Sequence, residues 1–169
     1  SPTYAIYSFV MAAFIYPVVV AWTWGYGWIG GGLMDVGYMD FAGSGIVHLT
    51  GGAAALAGAA ILGPRKGRFD NPEDFEAHNV PLMVLGTLSL WFGWYGFNCG
   101  STLGLSDSAT GAMAAQVAMN TTLSAASGGL ASFALTFAIT RCYDVGAFCN
   151  GILSGLVSIT AGCGNVECF

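Results

Sequence analysis

The sequence predicts an all-α membrane protein with about five transmembrane helices. Hydrophobic residues make up 55% of the 169-residue chain and charged residues only 8%, whereas soluble domains carry about 25% charged residues. Five stretches are each apolar enough and long enough to cross a bilayer, which takes roughly 20 residues. The four basic residues occur only between these stretches and form no basic surface for nucleic acid.

The predicted spans follow one another with short turn-rich connections. The fourth span is long for a single crossing, so it is expected to tilt or bend at Gly128-Gly129. Both ends of the chain look cut, which predicts an internal fragment of a longer multi-pass protein. The five spans cover residues about 4–24, about 41–62, about 80–98, about 112–140 and about 146–162.

The basic residues predict which connections face the cytoplasm. Arg65, Lys66 and Arg68 follow the second span, and Arg141 follows the fourth. These two connections lie on the same side of the membrane if the chain crosses it five times. Because basic connections are retained inside, both are predicted to be cytoplasmic, and the first and third connections are predicted to face outward.

His48 is the one ionisable residue deep inside a predicted span. It is either a neutral imidazole bonded to a neighbouring helix or a pore-lining proton donor and acceptor. Asp40 lies eight residues earlier, roughly 12 Å away if both belong to one helix. Asp40 is interpreted mainly as a helix N-cap, and a role in stabilising an arriving cation is compatible with that.

The third span carries a second group of candidate residues. Trp94, Phe97 and Ser101 fall at i, i+3 and i+7, on one helical face. Aromatic faces attract a cation, and a serine hydroxyl can accept a hydrogen bond from ammonium. The alternative is an interfacial aromatic belt, and the same ambiguity applies to the tryptophans at the outer end of the first span.

Other chemistry is not indicated by the sequence. No nucleophile–base set and no phosphate-binding loop is visible, and the five cysteines have no metal-ligand spacing. We therefore expect no enzyme, no cofactor and no metal. His78 lies in a connection just before the third span, and we assign it to the start of that helix.

Two segments resemble a known family. Residues 39–48 read MDFAGSGIVH and resemble the signature of the ammonium transporter (Amt) family, within the Amt/Mep/Rh superfamily. Residues 93–101 read GWYGFNCGS and resemble that family's next pore helix. The resemblance covers nearly the whole chain and implies an eleven-helix inverted-repeat transporter, of which this chain supplies spans four to eight. It also implies a homotrimer in the plasma membrane.

The resemblance implies roles for the candidate residues at the outer face. Trp24 and Ser101 resemble the outer site that recruits ammonium, and Trp28 is the alternative to Trp24. Phe97 resembles one ring of the outer aromatic gate, and Asp40 resembles the acidic residue that supports the outer site.

Deeper in the membrane, His48 resembles the first of two pore histidines, and Trp94 resembles a pore-lining ring. The implied function is ammonium transport, in which ammonium loses its proton before or during passage. The alternatives are a Rhesus-type ammonia gas channel and an ammonium sensor built on the same fold. The implied partners are ammonium or ammonia, the lipid bilayer and a cytoplasmic regulatory protein.

Overall fold

All regular elements of the described chain are helices. The computed structural model describes residues 2–25, 27–32 and 37–168, which confirms the predicted all-α class for these ranges. A short 3₁₀ turn, Pro72–Phe75, lies between the third and fourth helices. The helices are α1 (Pro2–Trp22), α2 (Trp28–Gly32), α3 (Ser44–Leu62), α4 (Val80–Gly100), α5 (Ser108–Thr140) and α6 (Val145–Ile159).

Four segments of the described chain are long and apolar enough to cross a membrane. They are Pro2–Trp22, Ser44–Leu62, Pro72–Gly100, which contains α4, and Ser108–Thr140. The fifth predicted span corresponds to α6, which has only 15 residues. At 1.5 Å per residue this helix is about 22 Å long, shorter than the roughly 30 Å hydrocarbon core of a bilayer.

Three helices begin at side chains that accept hydrogen bonds from the first free N–H groups. Asn79 does this for α4, Asp107 for α5 and Asp144 for α6. Such caps replace the hydrogen bonds that the first turn of a helix lacks. Arg141 follows α5 with a φ of 60°, a left-handed conformation that ends a helix.

Helix α3 begins differently from the prediction. The sequence placed its start near Phe41, but the helix begins at Ser44 and is π-helical over Ser44–Leu49 before continuing as α-helix. Asp40 lies in the preceding loop, and Gly43 reverses the chain there with a φ of 100°. Asp40 and His48 therefore do not lie on one continuous helix, and the spacing estimated from helical rise does not apply.

The most extensive helix contact joins α5 and α6. Glycines allow it, because a Cβ on Gly128 would lie 2.5 Å from the carbonyl oxygen of Gly151 and one on Gly155 would overlap the backbone of Ser124. Small residues permit this close approach of helices in lipid. Helix α5 is α-helical throughout, and Gly128 and Gly129 pack on α6.

The loop before α3, the second half of α4 and the end of α6 converge on one part of the structure. Ala42, from the loop, forms a buried cluster with Val117 and Cys163. Trp94, from α4, packs on a second buried cluster, which includes Leu156 of α6. Many large apolar side chains elsewhere on the helices are exposed, as expected of surfaces that meet lipid or further helices.

Candidate functional site

The Asp40 loop, which we define as residues 37–43, is organised by one buried carboxylate. Asp40 is only 4% exposed. Its Oδ1 accepts hydrogen bonds from the backbone N–H groups of Gly43 and Ser44, at 2.9 and 2.8 Å. Its Oδ2 accepts from those of Gly45 and Ile46, at 2.8 and 2.9 Å. The carboxylate thus caps the π-helical start of α3 with four charge-assisted hydrogen bonds.

Tyr38 adds a fifth donor to this carboxylate. Its hydroxyl donates to Asp40 Oδ2 at 3.3 Å. Partial burial, followed by the nearby negative charge of Asp40 and this hydrogen bond, raises the pKa of Tyr38 above its usual value. The tyrosine therefore stays a neutral donor across the physiological range.

Trp24 lies against the Asp40 loop, and Trp28 does not share its contact. The indole N–H of Trp24 donates to the backbone carbonyl of Asp40 at 2.6 Å. Its ring also lies close to Gly43, where an added Cβ would be 3.2 Å from Trp24 Cη2. Trp28 instead packs edge-on against Trp22, with 6.0 Å between ring centroids.

Three predicted residues come together as the His48 cluster, which we define as His48, Trp94 and Phe97. The imidazole of His48 stacks on the indole of Trp94 with 5.0 Å between centroids and an interplanar angle of 20°. Phe97 lies 5.6 Å from His48 and 5.8 Å from Trp94. The π-helical turn of α3 presents the histidine here, and such turns occur frequently at functional sites.

One ring nitrogen of His48 has no hydrogen-bond partner within the described residues. Nε2 is buried, and no donor or acceptor of the described chain reaches it. A buried polar atom without a partner costs free energy. The imidazole nitrogen can therefore gain from a hydrogen bond to a molecule or group that reaches it between the aromatic rings.

Trp94 is also held by a residue that the sequence did not indicate. Its indole N–H donates to Thr160 Oγ1 at 2.9 Å. Thr160 lies at the end of α6 and is completely buried. Threonines are ordinary in membrane helices, so nothing in the sequence distinguishes this one.

Ser101 lies one helical turn beyond Phe97, at the end of α4. Its hydroxyl donates to the carbonyl of Phe97 at 2.8 Å, which leaves the oxygen lone pairs free to accept. No hydrogen bond joins Ser101 to Trp24 in the described residues. Of the predicted outer residues, only Trp24 and Asp40 are directly bonded to each other.

A polar chain between α4 and α5 was also missed by the sequence analysis. The indole of Trp91 donates to the hydroxyl of Tyr95 at 3.1 Å, and that hydroxyl lies 2.8 Å from Thr122 Oγ1. Nearby, Asn98 donates to Thr121 at 3.0 Å, and both are fully buried. These bonds fix the rotation of α4 against α5 and so the direction in which Trp94 and Phe97 point.

The comparisons with known proteins identify the family of the chain. The model of the Ammonium Transporter Family matches residues 2–169. The chain belongs to this family. It is 46% identical to the ammonium transporter Amt2 of Archaeoglobus fulgidus over 97% of its own length and 36% of that relative's length. The chain thus spans little more than a third of the length of that relative.

Solved structures of the family share the fold. Mep2 of Candida albicans superposes with a TM-score of 0.78 and 34% identity, covering 96% of this chain and 35% of that one. A protein titled Sensor Amt Protein superposes with a TM-score of 0.74 and 38% identity, covering 92% of this chain and 38% of that one. The chain is accordingly part of a multi-pass membrane protein of the Amt/Mep type.

Proposed function

We propose that the full-length protein carries ammonium or ammonia across a membrane, along a path that passes the His48 cluster. The observation that carries the proposal is the buried Nε2 of His48, which lies among aromatic rings and has no hydrogen-bond partner in the described part of the chain. The family match and the similarity to the Archaeoglobus fulgidus ammonium transporter support the substrate.

The chemistry of the cluster favours ammonia over a bare ion. Moving an unpaired charge into an apolar site is too costly unless the group neutralises. We therefore propose that ammonium gives up its proton before or within the path. Neutral ammonia can donate a hydrogen bond to an imidazole nitrogen or accept one from it.

Capture of ammonium is assigned to the residues outside the cluster. The half-exposed ring of Trp24 offers a π face. The lone pairs of Ser101 Oγ are available to accept, because its O–H donates a hydrogen bond to the carbonyl of Phe97. Phe97 is 40% exposed and also contacts His48, so we propose that this member of the His48 cluster lies between the outer site and His48. Asp40 supports the site by fixing the loop on which Trp24 rests.

The proposed assembly and partners are those that the family resemblance implies. We propose that the protein works as a homotrimer in a lipid bilayer, with one path in each subunit, and that a cytoplasmic regulatory protein controls it. The Rhesus-type gas channel remains an alternative, distinguished by fast ammonia flux without ammonium current.

Sensing is a second candidate function, because one similar solved chain is titled Sensor Amt Protein. A sensor would bind ammonium at the same residues and pass little of it through the membrane. Strong binding of ammonium by the purified protein, together with negligible flux into vesicles, would favour sensing over transport.

The decisive experiment compares the chain's two histidines in the full-length protein. His48→Ala is expected to lower ammonium current in proteoliposomes at least about tenfold, or to abolish its preference for ammonium over potassium, because the polar group in the path is lost. His78→Ala is the matched control, since His78 is exposed in the connection before α4 and should leave current and selectivity unchanged. Wild-type current and selectivity in His48→Ala would contradict the proposed path.

A further inference from the structure

Thr160 connects two parts of the candidate site. It follows the last residue of α6 and is completely buried. Its side chain binds Trp94 of the His48 cluster, and its backbone binds the Asp40 loop.

The direction of each hydrogen bond at the Thr160 hydroxyl is determined. The hydroxyl donates its own proton to the carbonyl of Leu156 at 2.6 Å. It can therefore only accept from Trp94, whose indole N–H lies 2.9 Å away. An indole has one donor and no acceptor, so this single bond uses the whole hydrogen-bonding capacity of the ring.

The backbone at Thr160 holds the loop that precedes His48. The Thr160 carbonyl accepts from the N–H of Ala42 at 3.0 Å, and the carbonyl of Ala161 accepts from that of Phe41 at 2.8 Å. The loop residue Asp40 in turn caps the π-helical turn that contains His48. One short segment at the end of α6 thus positions both partners of the His48–Trp94 stack, Trp94 directly and His48 through the Asp40 loop.

We propose that Thr160 is a positioning residue for conduction, which keeps the Trp94 N–H away from the path so that only the ring face of the indole meets His48. This inference rests on the proposed function. Ammonia has one lone pair, and a free indole N–H beside the path would donate to it and hold it there. An occupied N–H leaves His48 as the polar atom that a passing molecule meets in this part of the site.

The test compares variants of the full-length protein in proteoliposomes. Thr160→Val keeps the shape and removes the hydroxyl, and it is expected to lower the maximal ammonium flux about fivefold. The half-saturating concentration should change less than about twofold, because the outer residues are untouched. Thr160→Ser restores the acceptor and should restore the flux. If Thr160→Val is not recovered folded, Thr160→Cys, a weak acceptor, replaces it.

The matched control is Thr87→Val. Thr87 is also buried, and its hydroxyl bonds only to Met83 in the preceding turn of α4, so its flux should equal that of wild type. Wild-type flux in Thr160→Val overturns the inference. Equal impairment of Thr160→Ser and Thr160→Val also overturns it, because packing rather than the hydroxyl would then be responsible.

A spectroscopic readout separates this inference from the proposed function. The indole ¹H–¹⁵N signal of Trp94, assigned by its loss in Trp94→Phe, should move in Thr160→Val and stay in place in Thr160→Ser. An unmoved signal in an active transporter overturns the role of Thr160 alone. If the signal moves in Thr160→Val but the wild-type protein carries no ammonium, the proposed function is overturned, and the role of Thr160 in conduction with it.

Discussion

The Asp40 loop precedes α3, and the His48 cluster includes a residue of its first, π-helical turn. The two regions differ in how their buried polar atoms are hydrogen-bonded. In the loop, both carboxylate oxygens of Asp40 are used by backbone donors, and its carbonyl is used by Trp24. In the cluster, Nε2 of His48 has no partner within the described residues and is surrounded by rings. One region satisfies its buried polar groups internally, and the other leaves one available.

This difference indicates that the Asp40 loop supports the structure and that the His48 cluster takes part in transport. A carboxylate that accepts four backbone N–H groups fixes the chain and has little capacity left for a ligand. A buried imidazole nitrogen without a partner lowers stability unless something binds to it. We therefore expect substitutions in the loop to act mainly on folding and substitutions in the cluster mainly on transport.

Asp40→Asn is expected to have the largest effect on stability. An asparagine keeps one acceptor oxygen and replaces the other by an amide that donates, so two of the four backbone N–H groups lose their partner. Leaving two buried donors unpaired should cost about 3 kcal/mol or more. Thermal unfolding of the full-length protein in detergent would show this as a large drop in Tm.

The control for Asp40→Asn is Asp70→Asn, because Asp70 is exposed in the connection between α3 and α4 and its change should stay within about 0.5 kcal/mol. If Asp40→Asn unfolds like wild type but captures ammonium poorly, the distinction between the two regions is wrong. Asp40 would then act on the cation directly.

Ser101→Ala should separate capture from passage. The Ser101 hydroxyl donates only to the preceding turn of its own helix, so its removal should change stability by less than about 0.5 kcal/mol. Loss of the acceptor for ammonium should raise the half-saturating concentration about fivefold and leave the maximal rate unchanged. Ammonium-dependent current measured over a range of concentrations distinguishes the two quantities.

Ser89→Ala is the matched control for Ser101→Ala. Ser89 lies on the same helix and makes the same bond to the preceding turn, at 2.8 Å to the carbonyl of Leu85. It should leave both kinetic quantities unchanged. An equal rise in half-saturation for both variants would assign the effect to the helix rather than to the site.

The sequence predicted contacts that depend on spacing within one helix. Trp94 and Phe97 were placed on one face of α4 by their separation of three residues, and their rings do lie 5.8 Å apart. The all-α class followed from composition in the same way. Asp40 was interpreted as the N-cap of α3, from the local signal of an aspartate before an apolar helix. The residue at the N-cap is Gly43, and Asp40 accepts hydrogen bonds from the first N–H groups of α3 from its place in the preceding loop.

Contacts between distant segments were not predictable from the sequence alone. The bond from Trp94 to Thr160 joins residues 66 positions apart, and it depends on how α4 packs on α6. The four bonds to Asp40 need the chain reversal at Gly43, which no helical period reveals. The predicted start of α3 near Phe41 was wrong for the same reason, because a loop that is bonded to the end of α6 takes the place of the expected first turn.

The smallest expected effect concerns an aspartate that caps a helix in water rather than in the protein interior. Asp107 accepts hydrogen bonds from the N–H groups of Ala109 and Thr110, each at 2.9 Å, at the exposed start of α5. Hydrogen bonds from Thr110, with a smaller contribution from Ala109, lower the pKa of the Asp107 carboxyl. A lowered pKa in the folded state means that the cap stabilises α5 above the unfolded pKa of about 3.9.

The contribution of Asp107 should disappear as the pH falls through its lowered folded pKa, because the protonated carboxyl is a weaker acceptor. Hydrogen exchange at the amides of Ala109 and Thr110 measures it locally, with Asp107→Asn as the control, since asparagine caps helices at every pH. The protection in wild type should fall toward that of Asp107→Ala in acid, whereas that of Asp107→Asn should not. Water can replace the exposed cap at Asp107, whereas it cannot reach the buried carboxylate of Asp40, so losing the Asp107 cap should affect only the start of α5. If the whole wild-type protein unfolded with the same pH dependence, this distinction between the two aspartates would be wrong.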